Sequence, residues 1–292
     1  MATVLSIIQD LAEKFPSIGI PTSLVTTNNR TVRQFKALLN EEGQNLSKEF
    51  LWTELRKEYT FDLVASQEAY SMPLDFSRIA FDTSWDRDGN REMIGGLTSK
   101  EWQIEKSALV STGVYKRFTI KGSADTQFYI SPIPSSSDAG NTIAFEYYTK
   151  SWLRPAKWLT STTYVAGAYT WYNGNYYTTT SGGTSGATAP THTTGSASDG
   201  GVTWDCFCDP YEKIMADTDV PLLESSLIGL GVMWRFMRVM GIGNYQDYRA
   251  EYDKILTERK TALLSPRTIN LAGKSRFKFL SANNLPDTIT GV

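Results

Sequence analysis

Between Val220 and Ile242 the chain reads VPLLESSLIGLGVMWRFMRVMGI, a mostly apolar run whose only charged residues are Glu224, Arg235 and Arg238. The preceding Asp-Thr-Asp and Pro221 suit a helix's first turn, and Gly241 and Gly243 suit its end. A helix apolar on nearly every side cannot rest on a surface with one face in water. It needs cover, from a bundle or from a neighbouring subunit. Its three charges argue against a membrane span, so no membrane insertion is expected.

Helical cover is available, but from far away in sequence. Residues 3–15 space Val4, Ile7, Ile8, Leu11 and Phe15 along one stripe up to Pro16. The opening MATVLSIIQDLAEKF lacks a basic n-region and reads as an amphipathic helix, not a signal peptide. A second helix is predicted from about Thr31 to Glu42, with Asn29 as N-cap and Gly43 as a break or kink before Leu46 and Phe50. Near the other end, Tyr245, Tyr248, Tyr252, Ile255 and Leu256 share a face, and Pro266 closes that element.

Between these ends the period changes to two. KEYTFDLVASQEAYSMP predicts a hairpin, and further strands follow around Asp88-Gly89-Asn90, Gly122–Asp125 and in NTIAFEYYTKSWL. LTSKEWQIEKSAL, with Thr98 or Ser99 ahead of Glu101, predicts one short capped helix. From Ala156 to Phe207 the texture changes again, to Thr, Gly, Ser and aromatics. There TTYVAGAYTWYNGNYYTTT, broken at Asn173-Gly174, predicts a hairpin in a small all-β insertion. The fold class is therefore α+β. A helical bundle forms from N- and C-terminal helices, with a central antiparallel sheet, an inserted β module and an extended C-terminal arm. The corresponding segments are 1–155, 156–209, 210–265 and 266–292.

The inventory for chemistry is thin. The chain has 29 Lys+Arg against 31 Asp+Glu, a formal net charge of −2, which disfavours a surface built to grip phosphates. Its one histidine, His192, leaves little for histidine catalysis or a metal site, and no metal or cofactor is expected. Cys206 and Cys208 are one residue apart, too close for an easy disulfide, and read as reduced thiols made in a reducing compartment. Glu101, Glu105, Glu146, Asp205 and Asp209 could supply a glycosidase pair, but no spacing sets two of them across a cleft. The chain is not expected to be an enzyme.

Several stretches in order carry a resemblance: YSMPLDFSRIAFDTSW (70–85), SKEWQIE (99–105), FYISPIP, FEYYTKSWL, and DTDVPLLESSLIGLGVMWRF followed by AEYDKIL. The chain resembles the head-to-tail adaptor, or connector, proteins of tailed bacteriophages, of the type related to the podovirus tail tubular protein. That resemblance implies a virion protein of the head–tail junction, assembled in the bacterial cytoplasm. It further implies a ring of identical subunits, typically a dodecamer. The portal protein would lie above, a tail nozzle or tail tube protein below, and genomic DNA would pass through the channel without specific binding. On that reading the apolar helix offers Leu227, Leu230, Trp234 and Met237 as a portal or subunit interface. Phe277 and Phe279, alternating with Arg276 and Lys278 in the arm, add to it as a strip able to join a sheet edge; a plain basic tail is the alternative. Arg235 and Arg238 would contact DNA phosphates or an acidic partner, or pair within the chain.

The insertion is similar to small chitin- and cellulose-binding β modules, through Tyr164, Gly167, Trp171, Asn173, Gly174 and Tyr177, and through Asp199, Gly200 and Trp204 in the closing stretch. This resemblance implies a surface glycan as partner and, as the alternative function, a glycan-binding virion protein that aids host adsorption through residues 156–209. Its rings would come from Tyr169, Trp171, Tyr172, Tyr176 and Trp204, because sugar C–H faces lie on flat aromatic rings. The other reading is decoration, since a module this small needs most of its rings for its own core. In either case residues 157–207 are expected to be dispensable for docking to the portal.

Overall fold

The computed structural model describes residues 2–15, 18–107, 115–122, 125–207, 209–241 and 243–263. Among the described residues there are five α-helices: α1 (Val4–Glu13), α2 (Arg30–Glu49), α3 (Ser99–Ser107), α4 (Ser225–Met240) and α5 (Tyr245–Leu263). The Thr3 side chain caps α1 by accepting from the Ser6 amide, and Asn29 caps α2 through the Thr31 amide. Thr98 and Glu101 cap the start of α3 reciprocally.

α1, α2, α4 and α5 form one helical body, with α4 packed against the other three. Phe35 of α2 stacks on Phe236 of α4 at 4.2 Å between ring centres, and Phe15 meets the same ring edge-on. α2 runs unbroken through Gly43, where the sequence suggested a kink. A Cβ there would stand 2.2 Å from the Trp152 indole, so the glycine lets a buried tryptophan lie directly on the helix backbone.

Two antiparallel sheets fill the middle of the chain. In order, their strands are β1 (Arg56–Asp62), β2 (Ala69–Ser71), β3 (Phe76–Ile79), β4 (Trp85–Asp86), β5 (Arg91–Glu92), β6 (Arg117–Lys121), β7 (Gln127–Ser131) and β8 (Thr142–Thr149). β8 is the centre of the larger sheet. β1 lies along one of its edges, β3 and β4 pair with the other, and β5 lies outside β4. The smaller sheet has the order β2-β7-β6. The two sheets meet through Phe118, Phe128 and Phe145, stacked at 4.5 Å and 5.2 Å. The expected hairpin of β1 with β2 does not form, because each strand pairs with a distant partner in a different sheet. The Tyr70 hydroxyl accepts the Val64 amide and folds the connection over, which leaves Phe61 and Tyr70 ring to ring at 4.6 Å.

The last strands are β9 (Leu153–Arg154), β10 (Thr163–Tyr164), β11 (Tyr169–Tyr172), β12 (Asn175–Thr179), β13 (Gly183–Thr184), β14 (Ser196–Asp199), β15 (Val202–Phe207) and β16 (Val220–Pro221). β11 and β12 turn at Asn173-Gly174, both with positive φ, as the hairpin signal requires. They extend through β15 to β14 as a four-stranded sheet, beside the pair β10 and β13. β9 pairs with β16 and so ties together the chain entering and leaving this segment. Pro221 therefore sits in a strand, and α4 starts only at Ser225, one turn later than the sequence suggested. The architecture is α+β. The expected arm, residues 266–292, lies outside the described residues, as does Cys208.

Candidate assembly surfaces

Most of the apolar surface of α4 is covered by the chain itself. Leu227, Trp234 and Met237 are buried in the helical core, and Leu230 is half-buried. Phe277 and Phe279 lie outside the described residues. The large apolar side chains that α4 leaves to solvent are in its last turn, where Val239 is 64% and Met240 47% exposed beside the exposed Arg238. Sequence reasoning passed over both. Their only signal was position, since the two follow a charged residue and directly precede the Gly241 cap.

Arg235 reaches back along α4 into an ion pair with Glu42 of α2, whose side chain is completely buried. Gly231 makes room for it: a Cβ there would lie 2.1 Å from the Glu42 carboxylate. Burial pulls the Arg235 pKa down, and its guanidinium also lies over the Trp234 ring at 4.7 Å. Of the two readings of Arg235, pairing within the chain is the one the geometry satisfies.

Asp219 fixes the turn that leads into α4. Its carboxylate accepts from the Tyr211 hydroxyl (2.7 Å) and from the Met215 and Ala216 amides (2.8 and 2.9 Å). Its carbonyl accepts the Val4 amide at 2.8 Å, which locks α1 to the same turn. Burial drives the Asp219 pKa up to about 6, against the pull of these donors. Asp75 is the counterpart in the sheets, held by Lys57 (2.8 Å) and by the hydroxyls of Tyr147 (2.8 Å) and Thr149 (2.7 Å). Burial pushes its carboxyl up, but Lys57 and these hydroxyls outweigh it and hold the group below its ordinary value.

None of the five rings expected to meet a sugar is exposed. Strand alternation divides them between two faces of the β11-β12-β15 sheet. On one face, Tyr169 packs edge-on against Phe207 and Tyr211 at 5.2 and 5.9 Å, and Tyr176 approaches Tyr211 at 5.8 Å. Trp171 shares that face and carries the Arg154 guanidinium at 4.8 Å, while Lys57 of β1 lies over Tyr176 at 5.4 Å. This face is thus joined to the helical body and to β1. The opposite face belongs to the segment's own core. Trp204 is fully buried there and meets Tyr164 edge-on, Tyr172 meets Trp158 edge-on, and both indole N–H groups point to Asp199. Tyr211, the ring that joins the two parts, follows the segment and had no signal of its own in the sequence.

Four of the five candidate acids are engaged separately, and Asp209 is exposed. Glu101 caps α3, Glu105 pairs with Arg117, Glu146 pairs with Arg56, and Asp205 accepts the Ser196 hydroxyl. Among the described residues no group of three or more His, Cys, Asp or Glu is placed to hold a metal ion. No described helix is long and apolar enough to cross a membrane. A shallow groove of about 360 Å³ runs along Gly186–His192 and Ala197–Gly200 and contains no aromatic ring other than His192.

No curated protein matches the chain. A family model described as SU10 adaptor protein matches residues 2–173, which takes in α1 to α3, both central sheets and the strands up to the turn after β11. With more than half of its length so matched, the chain belongs to the SU10 adaptor protein family, structural adaptors of phage virions that associate with other head–tail proteins.

Proposed function

We propose that this adaptor forms a ring around the DNA channel between portal protein and tail, its helical body toward the portal and its sheets toward a tail nozzle or tail tube protein. The family match over residues 2–173 carries the reading. Twelve-fold symmetry is the count the head–tail connector resemblance implies. The exposed end of α4, Val239 and Met240, suits a subunit or portal contact: two apolar side chains stand in water beside a cation on an otherwise covered helix. A net charge of −2 suits a channel wall that lets DNA pass without holding it.

For residues 156–209 we propose a structural role. With its rings spent on its own core and on the junction, the segment stiffens the subunit; a glycan platform would need rings turned to solvent. The test is assembly with purified portal protein, followed by size exclusion and negative-stain imaging. The wild-type chain is expected to give rings on the portal. Val239→Asp with Met240→Asp is expected to abolish them while thermal unfolding of the monomer stays unchanged. Rings that persist in this variant would remove α4 from the interface, and a wild-type chain that never docks would remove the adaptor ring itself.

A further inference from the structure

β1 is an edge strand that invites a partner. β8 pairs with one of its sides, and no strand among the described residues pairs with the other. An unpaired edge of seven residues, about 23 Å long, exposes a row of amides and carbonyls that folded proteins usually cover or blunt. Its two faces differ in chemistry. Tyr59 and Phe61 are half-buried on the side of the second sheet, while Glu58, Thr60 and Asp62 are exposed on the other.

We propose that residues 276–280 of the same chain, RFKFL, add to this edge as an antiparallel strand. Three observations converge on that segment. First, its alternation matches β1. A register with Phe277 beside Phe61 and Phe279 beside Tyr59 extends the aromatic row already formed by Tyr59 and Phe61. Second, the same register sets Arg276 beside Asp62 and Lys278 beside Thr60, between the carboxylates of Asp62 and Glu58. Cross-strand pairs of both kinds stabilise a ladder. Third, the described chain ends beside the start of β1. Near the end of α5, Arg259 bonds Glu54 at 2.9 Å and Lys260 bonds Glu49 at 2.7 Å, and Glu54 is two residues ahead of β1. Residues 264–275 then provide a connection of up to about 40 Å, ample to reach the Asp62 end and run back. Docked this way, the root of the arm is fixed to its own subunit and residues 281–292 are left to reach a partner.

The test uses the full chain as a dilute monomer, so its outcome does not depend on ring formation. Hydrogen exchange of β1 amides is compared with that of Phe277→Asp/Phe279→Asp. The expected result is that alternate β1 amides exchange about tenfold faster in the variant, while β8 and α4 amides are unchanged. Equal exchange overturns the proposal. Protection that fades on dilution also overturns it, by assigning the edge to a second copy. Thr60→Cys with Lys278→Cys, in a chain with Cys206→Ser and Cys208→Ser, gives an independent reading by mass spectrometry. An intrachain disulfide is expected, and its absence, or a link between chains, counts against the pairing.

Discussion

Two carboxylates, the buried Asp219 and the half-buried Asp75, give this adaptor opposite responses to acid. Asp219 holds its proton more firmly in the folded chain, with a pKa of about 6 against an ordinary 3.8. Its contribution to stability is therefore fully present below the unfolded value and is lost as pH rises through about 6. Asp75, held below its ordinary value, contributes above the unfolded value and loses that contribution as pH falls through its folded one. Denaturant unfolding as a function of pH checks both signs. In Asp219→Asn the gain in stability between about pH 7 and pH 4 should disappear, and in Asp75→Asn the loss at the acid end should shrink. Neither behaviour could be read from the sequence, because the Tyr211 and Lys57 that define these sites lie in other elements.

At the scale of the elements, local chemistry was legible and partnership was not. Asn29 and Thr98-Glu101 announce helix starts within a few residues of themselves, and the structure uses both; the Thr3 cap of α1 came only with the structure. The Asn173-Gly174 turn is equally local. β1 and β2 were legible as strands, yet the partner of β1 is β8, some 80 residues on, so proximity in sequence misled. Gly43 shows the same limit: helix propensity marks glycine as a weak point, whereas its role is to admit Trp152. The competition has a testable sign. Gly43→Ala should gain up to about 1 kcal/mol of helix propensity but lose more to the collision with the indole, lowering the midpoint of urea unfolding. Placed in a Trp152→Leu background, the same substitution should become neutral or favourable.

For the whole molecule, the aromatic segment was legible by composition and misleading by exposure. Residue types cannot say which of two strand faces is occupied, and the occupant of one face, Tyr211, lies beyond the segment. The junction through Tyr169, Tyr176, Phe207 and Tyr211 changes what deletion should do. Removing residues 157–207 uncovers Tyr211 and takes three rings off the helical body. The shortened chain should lose several kcal/mol of stability by about 1.5–3 per large apolar side chain uncovered and tend to aggregate. Calorimetry and light scattering on the deletion check this. A shortened chain as stable as the parent would restore the picture of a detachable ornament.

The helical body draws its pieces from both ends of the polypeptide, and that has a consequence for synthesis. α1 and α2 leave the ribosome with their greasy stripes bare, and α4 follows roughly 200 residues later, about 10–40 s at ordinary elongation rates. Throughout that interval the nascent chain carries half of a core with nothing to close it. A chaperone that holds exposed apolar stripes until α4 emerges should therefore raise the yield of folded chain.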